Sequence, residues 1–180
     1  MFLLLFFVFY SFSSSIMYTK QDLAASLTKD TEVIKHLFDK IPADTFGYKP
    51  TEGQRTTLEL LQYMSIMTPA AIDVVYQGDS AVFNKYTDVA KTVTAENFKE
   101  KIDEHLTLAL TTLEKFTDKD LNTTIDIFMM GPKSKGVYLV DTILKWLVAY
   151  KMQLFLYIKA SGNSSIGTSN VWGGFDMPVR

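Results

Sequence analysis

Apolar residues recur at the three- and four-residue spacing of an amphipathic helix in three stretches that precede residue 120. The first two stretches begin with capping boxes, which pair Thr19 with Asp22 and Thr56 with Glu59. The third begins near Thr94. The pattern predicts helices over about residues 20–40, 57–77 and 95–116.

A fourth apolar stretch runs from Val137 to Gly162 without an internal glycine or proline. It is apolar nearly all the way round, which predicts a helix that is buried on most of its sides. Although it is long enough to span a bilayer, its scattered charges, including Lys151, argue against lipid. We predict the central helix of a bundle, with one stripe formed by Trp146, Tyr150, Gln153 and Tyr157.

The segments that connect the helices carry other signals. Residues 122–130 are rich in β-forming residues and predict one or two short strands or an extended arm. Pro69 lies inside the second helix and should kink or divide it. The Gly- and Ser-rich tail after Ser161 should be irregular, with Trp172 and Phe175 docked on the bundle.

The composition narrows the class of protein. The chain has 180 residues, of which 47% are hydrophobic and 21% charged, and we assign residues 17–177 to one globular domain. A net charge of −2 without a basic run argues against a nucleic-acid partner. Because the sequence has no cysteine, it has no disulfide, no thiolate metal site and no cysteine nucleophile.

The first sixteen residues allow two interpretations. An apolar run from Phe2 to Tyr10 precedes a Ser-rich segment, as in a signal peptide, but no basic residue precedes that run. Met17 stands directly before the first capping box, so we favour Met17 as the start and residues 1–16 as a doubtful extension. The protein is then cytoplasmic; if residues 1–16 are a true signal segment, it is exported.

Three strings along the chain together resemble those of the DinB/YfiT-like proteins. They are YKPTEGQRTTLELLQYM before and in the second helix, AYKMQLFLYIKASG in the last helix, and SNVWGGFDMP, a tail common in bacterial members. The resemblance covers about residues 17–177. It implies an all-α four-helix bundle of DinB/YfiT-like type, up-down-down-up, with a short extended arm or hairpin before the last helix. It also implies a homodimer.

The resemblance also implies where a metal would bind. Metal-binding members hold Zn²⁺ or Ni²⁺ with one histidine of the second helix and two of the last helix, and known activities are thiol-dependent transferases and isomerases. The matching positions here carry Tyr63, Trp146 and Tyr150. An indole does not coordinate a metal through its N–H, and a neutral phenol is a poor ligand. We therefore predict no metal and no cofactor.

The three aromatic side chains have two interpretations. Tyr63, Trp146 and Tyr150 either fill the former metal site as part of the core, or line a pocket for a small apolar or aromatic ligand. Gln153 would then hydrogen-bond a backbone group or the Tyr63 hydroxyl, and Tyr48 would cover one end of the pocket.

Two histidines remain as candidate metal ligands. Glu32, His36 and Asp39 share one face of the first helix, which we interpret as a solvated charged face. His105 has no metal-binding side chain three or four residues away, so we expect a histidine at the core boundary with an ordinary hydrogen bond.

The sequence therefore favours a non-enzymatic role, either small-molecule binding or a dimeric scaffold or stress-related protein. The alternative is a thiol-dependent transferase or isomerase that uses other groups than a metal. That chemistry needs a general base in the cleft, and only Asp141 or Glu59 could supply a carboxylate by turning inward.

Overall fold

The structure, a computed structural model, describes residues 18–178. Its long helices are α1 (Lys20–Phe38), α2 (Thr57–Gln77), α4 (Phe98–Glu114) and α7 (Lys145–Ala160). The shorter elements are a 3-10 helix (Ser80–Tyr86), α3 (Thr87–Lys91), α5 (Asp118–Asn122), β1 (Thr124–Ile125), β2 (Lys133–Ser134), α6 (Lys135–Tyr138) and two π-helical segments (Leu139–Leu144 and Ser169–Gly173). The segments α6, Leu139–Leu144 and α7 follow one another directly over residues 135–160, which we call the last helix.

The four long helices pack around one apolar core. Both α1 and α2 contact α4 and α7, so α1 and α2 face each other across the diagonal of the bundle. The core draws fully buried side chains from all four, among them Leu27, Leu60, Ala109 and Leu154. The predicted all-α bundle is confirmed. Among residues 18–178, no helix has the length and hydrophobicity that crossing a membrane requires. The interpretations of residues 1–16 concern a part of the chain outside those described.

The capping signals fix the ends of the first two helices as predicted. Thr19 and Asp22 form a reciprocal capping box at the start of α1, and Thr56 and Glu59 form another at the start of α2. Gly78 ends α2 in the left-handed conformation, with φ of 75°. These contacts lie within one helical turn, which is why the sequence shows them directly.

Two other helix predictions need correction. The third long helix begins at Phe98 rather than near Thr94, because the Asn97 side chain accepts a hydrogen bond from the Thr94 N–H and donates one to the Thr92 carbonyl. Of the two effects predicted for Pro69, a kink or a division, the division is wrong, because α2 continues through this residue. The residues on both sides of Pro69 are buried, and this packing offsets the hydrogen bond that proline cannot donate.

The last helix begins earlier than the sequence predicts. Its first turn starts at Lys135, and the Ser134 hydroxyl accepts a hydrogen bond from the Val137 N–H. Gly136 therefore lies inside the helix rather than before it. A Cβ atom at this position would lie 3.2 Å from the Leu121 carbonyl oxygen, so glycine permits the close contact between α5 and the last helix.

The last helix, which the sequence predicts to be buried on most of its sides, leaves one side uncovered. Leu156 is 56% exposed, Val137 is 48% exposed, and Ala149 and Ala160 are also exposed. No other long helix of residues 18–178 packs on this side, because α1 and α2 cover the others. The helix thus leaves apolar side chains uncovered.

A short hairpin joins α5 to the last helix. β1 and β2 pair antiparallel, with Thr124 opposite Ser134, which confirms the predicted short strands. The buried Tyr138 hydroxyl donates a hydrogen bond to the Gly131 carbonyl (2.6 Å) and accepts one from the Ile127 N–H (3.2 Å). This hydroxyl fixes the hairpin loop to the first turn of the last helix.

The tail docks on the bundle, but its most buried residues are not the two that the sequence indicates. Trp172 and Phe175 remain 54% and 53% exposed. Val171 and Asn170 are buried instead, and the Asn170 amide lies 3.0 Å from His36 Nε2. A branched apolar side chain and a polar amide are thus buried more completely than the two aromatic rings, of which Trp172 contacts the bundle through Lys151.

Lys151 forms a buried ion pair between the last helix and α1. Its side chain is 2% exposed, and its Nζ atom lies 2.6 Å from Asp30 Oδ1. The Trp172 ring lies over the same ammonium, with the centroid 4.8 Å from Nζ. The ammonium therefore has a carboxylate on one side and an aromatic face on the other, which compensates for its loss of water.

We expect Lys151→Met to lower the free energy of unfolding by about 2–4 kcal/mol, because it leaves Asp30 largely buried without its partner. Lys145→Met is the matched control. It removes a lysine of the same helix whose ion pair with Asp141 is exposed, and should cost less than about 0.5 kcal/mol. Urea denaturation measures both. Equal losses in the two variants would contradict a special role for the buried pair.

Candidate aromatic site and apolar groove

The structure brings together two of the three side chains that the resemblance aligns with metal-binding histidines. Tyr63 of α2 and Tyr150 of α7 meet edge to face, with ring centroids 5.0 Å apart. Trp146, one turn before Tyr150, packs edge to face on Phe128 of the hairpin loop, with centroids 5.1 Å apart. The three rings therefore lie along the contact between α2, the last helix and the hairpin, and all three are partly buried.

Arg55 covers the outer side of this aromatic pair. Its guanidinium carbon lies 4.1 Å from the centroid of the Tyr63 ring, which is the geometry of a cation–π contact. Phe83, from the 3-10 helix, approaches the Tyr63 ring with centroids 6.3 Å apart. Tyr63 is thus enclosed by a cation and two aromatic rings, a surrounding that leaves little room for an inner-sphere metal.

The hydroxyl of Tyr63 is held in its neutral form. The pKa of Tyr63 is raised to about 12, mainly by burial and also by the neighbouring Tyr150. Arg55 lowers this pKa, but by less than Tyr150 raises it. A tyrosine binds a metal well only as the phenolate. At neutral pH this side chain is therefore a hydrogen-bonding group and a packing surface.

Gln153 lies farther along the stripe than Tyr150, where α7 meets the loop that precedes α2. Tyr48 belongs to that loop. The Gln153 amide donates to the Tyr157 hydroxyl (2.9 Å), which in turn donates to the Arg55 carbonyl (3.1 Å). Gln153 thus pairs with Tyr157 rather than with Tyr63. The Tyr48 ring meets the Tyr157 ring edge to face, with centroids 5.9 Å apart.

Neither histidine is placed to hold a metal with other side chains. His105 Nδ1 lies 3.2 Å from the Ser65 carbonyl oxygen, which confirms the predicted ordinary hydrogen bond, and burial lowers its pKa. His36 is not solvated as predicted, because the tail covers it and Asn170 contacts its ring. Residues 18–178 contain no group of three His, Cys, Asp or Glu side chains arranged to bind a metal ion.

The two candidate carboxylates for base catalysis have other partners. Glu59 is exposed and accepts the Thr56 N–H in the capping box. Asp141 pairs with Lys133 and Lys145, which hold its pKa at about 2. A carboxylate with so low a pKa is a weak base at neutral pH.

The uncovered side of the last helix forms one wall of an open groove of about 700 Å³, which we call the apolar groove. Its other wall is the loop that precedes α2. Apolar side chains dominate its lining, which consists of Tyr48, Pro50, Ala149, Met152, Leu156, Tyr157 and Ala160 with Gln54, Gln153 and Lys159.

A second depression of about 550 Å³ adjoins the apolar groove, and we call it the polar end. It is lined by Gly53, Gln54, Arg55, Glu59 and Gln153, and it shares Gln54 and Gln153 with the groove. Neither depression is lined by Tyr63, Trp146 or Tyr150. Of the side chains that the sequence indicates for a ligand pocket, only Tyr48 and Gln153 therefore border this space.

The sequence shows the groove only indirectly. A helix that is apolar nearly all round is either enclosed or has an uncovered apolar side, and periodicity does not distinguish the two. The pattern therefore does not single out Leu156. It also does not single out Arg55, an isolated cation just before a capping box. Their roles follow from tertiary packing, which brings the loop before α2 against the last helix.

The raised pKa of Tyr63 predicts a pH dependence. The folded chain keeps this phenol neutral to about pH 12, while the unfolded chain ionises it near pH 10, so its contribution to stability is full below pH 10 and is lost above it. We expect Tyr63→Phe to weaken the fall of the urea midpoint between pH 10 and about 12. The pH dependence at neutral pH serves as the internal control, and parallel curves at high pH would contradict the assignment.

Comparisons with known proteins agree with this architecture. No family model matches the chain. It is 26% identical over 138 residues to the uncharacterized protein YjoA of Bacillus subtilis (strain 168), across 74% of this chain and 85% of that protein.

Two solved structures share the fold. The crystal structure of the DinB-like protein YjoA from Bacillus subtilis superposes with a TM-score of 0.63 and 19% identity, over 81% of this chain and 94% of that chain. A DinB-like protein from Bacillus cereus ATCC 10987 gives a TM-score of 0.60 and 17% identity, over 82% and 96%. The predicted resemblance is therefore confirmed at the level of the fold: the chain shares the helical-bundle fold of these two DinB-like proteins.

Proposed function

We propose that this DinB-like bundle has no metal centre and binds a small apolar or aromatic molecule without catalysing a reaction. The observation that carries the proposal is the apolar groove, which is open to solvent and has a volume within the usual range of ligand sites, about 300–1,000 Å³. Its polar groups are few and lie at its edges, as in sites that bind an apolar body and orient it by one end.

The aromatic cluster supports the absence of a metal centre. Tyr63 and Tyr150 are in contact with each other, Trp146 packs on Phe128, and Arg55 places a positive charge over Tyr63. A metal cation at this place would meet a neutral phenol and a fixed positive charge. Both features disfavour a bound cation.

No contact of residues 18–178 favours the alternative of a thiol-dependent transferase or isomerase. Such an enzyme needs a base with a pKa near neutrality beside its substrate. Glu59 caps α2 from an exposed position, and Asp141 is held ionised by two lysines. We therefore keep binding, rather than transfer, as the proposed role.

A second copy of the chain is the competing occupant of the apolar groove, since the resemblance implies a homodimer. A stable dimer buries roughly 800 Å² on each partner. On the last helix the groove presents Leu156 and Met152 with the small side chains Ala149 and Ala160, and the loop before α2 forms a second wall, which suits a molecule that lies between the two. This geometry leads us to place a small molecule in the groove.

Metal analysis tests the first half of the proposal. We expect the full chain, purified without chelator, to hold well below one equivalent of Zn²⁺ or Ni²⁺ by mass spectrometry of its elements. Titration with either ion should not raise the melting temperature, because ligand binding to the folded state would do so. One tightly held ion per chain would overturn the metal-free assignment.

A neutral fluorescent probe, N-phenyl-1-naphthylamine, tests the groove itself. We expect Leu156→Gln to weaken probe binding by roughly tenfold, because a buried leucine contact contributes about 1.5 kcal/mol or more. Leu108→Gln is the matched control, since Leu108 is 44% exposed on α4 and lies outside the groove. It should leave binding unchanged.

Sedimentation of the same variants separates the two occupants. If the chain dimerises and Leu156→Gln alone yields monomers, the groove is the dimer contact and the proposed ligand role fails. Equal probe binding by the chain and both variants would also overturn the proposal.

A further inference from the structure

We infer that the ligand of the apolar groove carries a carboxylate group, which Arg55 binds at the polar end with help from Gln54 and Gln153. The ligand class is an amphipathic carboxylate with an alkyl or aryl body. This inference rests on the proposed function, since it names the chemistry of the molecule that the groove takes.

Arg55 is the main reason for assigning a carboxylate. Its guanidinium forms no ion pair with any carboxylate of residues 18–178. The face of the guanidinium rests on Tyr63, while its N–H groups lie in the plane and stay available for a bidentate contact with a carboxylate. The contact with Tyr63 therefore positions Arg55, and no carboxylate of the described residues forms an ion pair with its guanidinium.

The two glutamines add donors where the polar end joins the apolar groove. Gln54 Oε1 lies 3.2 Å from the Thr51 hydroxyl, which uses its acceptor and leaves its amide N–H groups. Gln153 donates one of its two N–H groups to Tyr157, so the other remains. The two glutamines therefore supply three free N–H donors beside Arg55, which can hydrogen-bond an acceptor group on the ligand.

The opposite end of the groove carries a second positive charge, Lys159, which has fewer unused donors than Arg55. The Lys159 ammonium already donates to the carbonyls of Ser164 (2.9 Å) and Ile166 (2.8 Å). From Gln153, which borders the polar end, to Ala160, α7 extends over about 10 Å at 1.5 Å per residue. The charged head therefore belongs at Arg55, with the apolar body along α7.

Glu59 is the one carboxylate that lines the polar end, and its negative charge disfavours the binding of a second carboxylate there. Hydrogen bonds from Thr56 hold its pKa below the usual range, so it is ionised at neutral pH. It lowers the affinity for an anion without affecting a neutral molecule. The pair of Arg55 and Glu59 thus gives a signed test: removing each charge should change carboxylate binding in opposite directions.

Isothermal titration calorimetry of the full chain with octanoate and with octan-1-ol makes that test, since the two probes share an alkyl chain and differ in the head. We expect octanoate to bind more tightly than octan-1-ol. Arg55→Gln should weaken octanoate roughly tenfold and leave octan-1-ol unchanged, because it removes one charge-assisted contact. Glu59→Gln should strengthen octanoate severalfold, and glutamine still completes a capping box.

Lys115→Gln is the matched control for loss of a positive charge. Lys115 is exposed after α4, forms no ion pair with residues 18–178, and lines neither depression. It should leave the affinity for both probes unchanged, which separates a contact of Arg55 from a general effect of net charge.

The outcomes distinguish the two proposals. If both probes bind with equal affinity and Arg55→Gln changes neither, the carboxylate assignment is wrong while the groove remains a ligand site. If octanoate and octan-1-ol both fail to bind, the proposed function fails and the inference with it. If Lys115→Gln weakens octanoate as much as Arg55→Gln does, the effect is one of net charge and the assignment is wrong.

Discussion

The buried ion pair of Lys151 and Asp30 constrains the whole arrangement. It joins the last helix to α1, and its two members are 121 residues apart in the chain. Because an unpaired ammonium is costly in an apolar core, the pair permits only those rotations of α7 that keep Lys151 toward Asp30. This orientation directs Tyr150 toward Tyr63 of α2 and leaves Leu156 on the uncovered side.

Aromatic packing replaces metal coordination as the link between α2 and the last helix in our interpretation. A metal site would hold these helices together through a few directional bonds, whereas Tyr63 and Tyr150 do so through an edge-to-face contact and the Arg55 cation above them. Burial and the neighbouring Tyr150 raise the pKa of Tyr63 to about 12, so the Tyr63 phenol is neutral near pH 7. In our proposal, these rings hold the two helices together by packing.

The sequence predicts those features that depend on neighbouring residues. The capping boxes at Thr19 and Thr56 locate the starts of α1 and α2, and the spacing of apolar residues gives the all-α bundle. The start of α4 is misplaced because Asn97 hydrogen-bonds backward to Thr92, a competition that periodicity does not show. The Asp30 partner of Lys151 and the exposure of Leu156 depend on which helices meet, and no local pattern encodes that.

The uncovered side of the last helix is hard to explain by stability alone. A leucine that is 56% exposed contributes little to folding, whereas full burial would be worth about 1.5–3 kcal/mol. A helix that needed only to complete the core would gain solubility from a polar residue at this position. The loop before α2 places Tyr48 and Pro50 opposite Leu156, so the two walls face each other across open space instead of closing. An apolar surface that is held open beside an unpaired arginine is therefore best understood as part of a binding site.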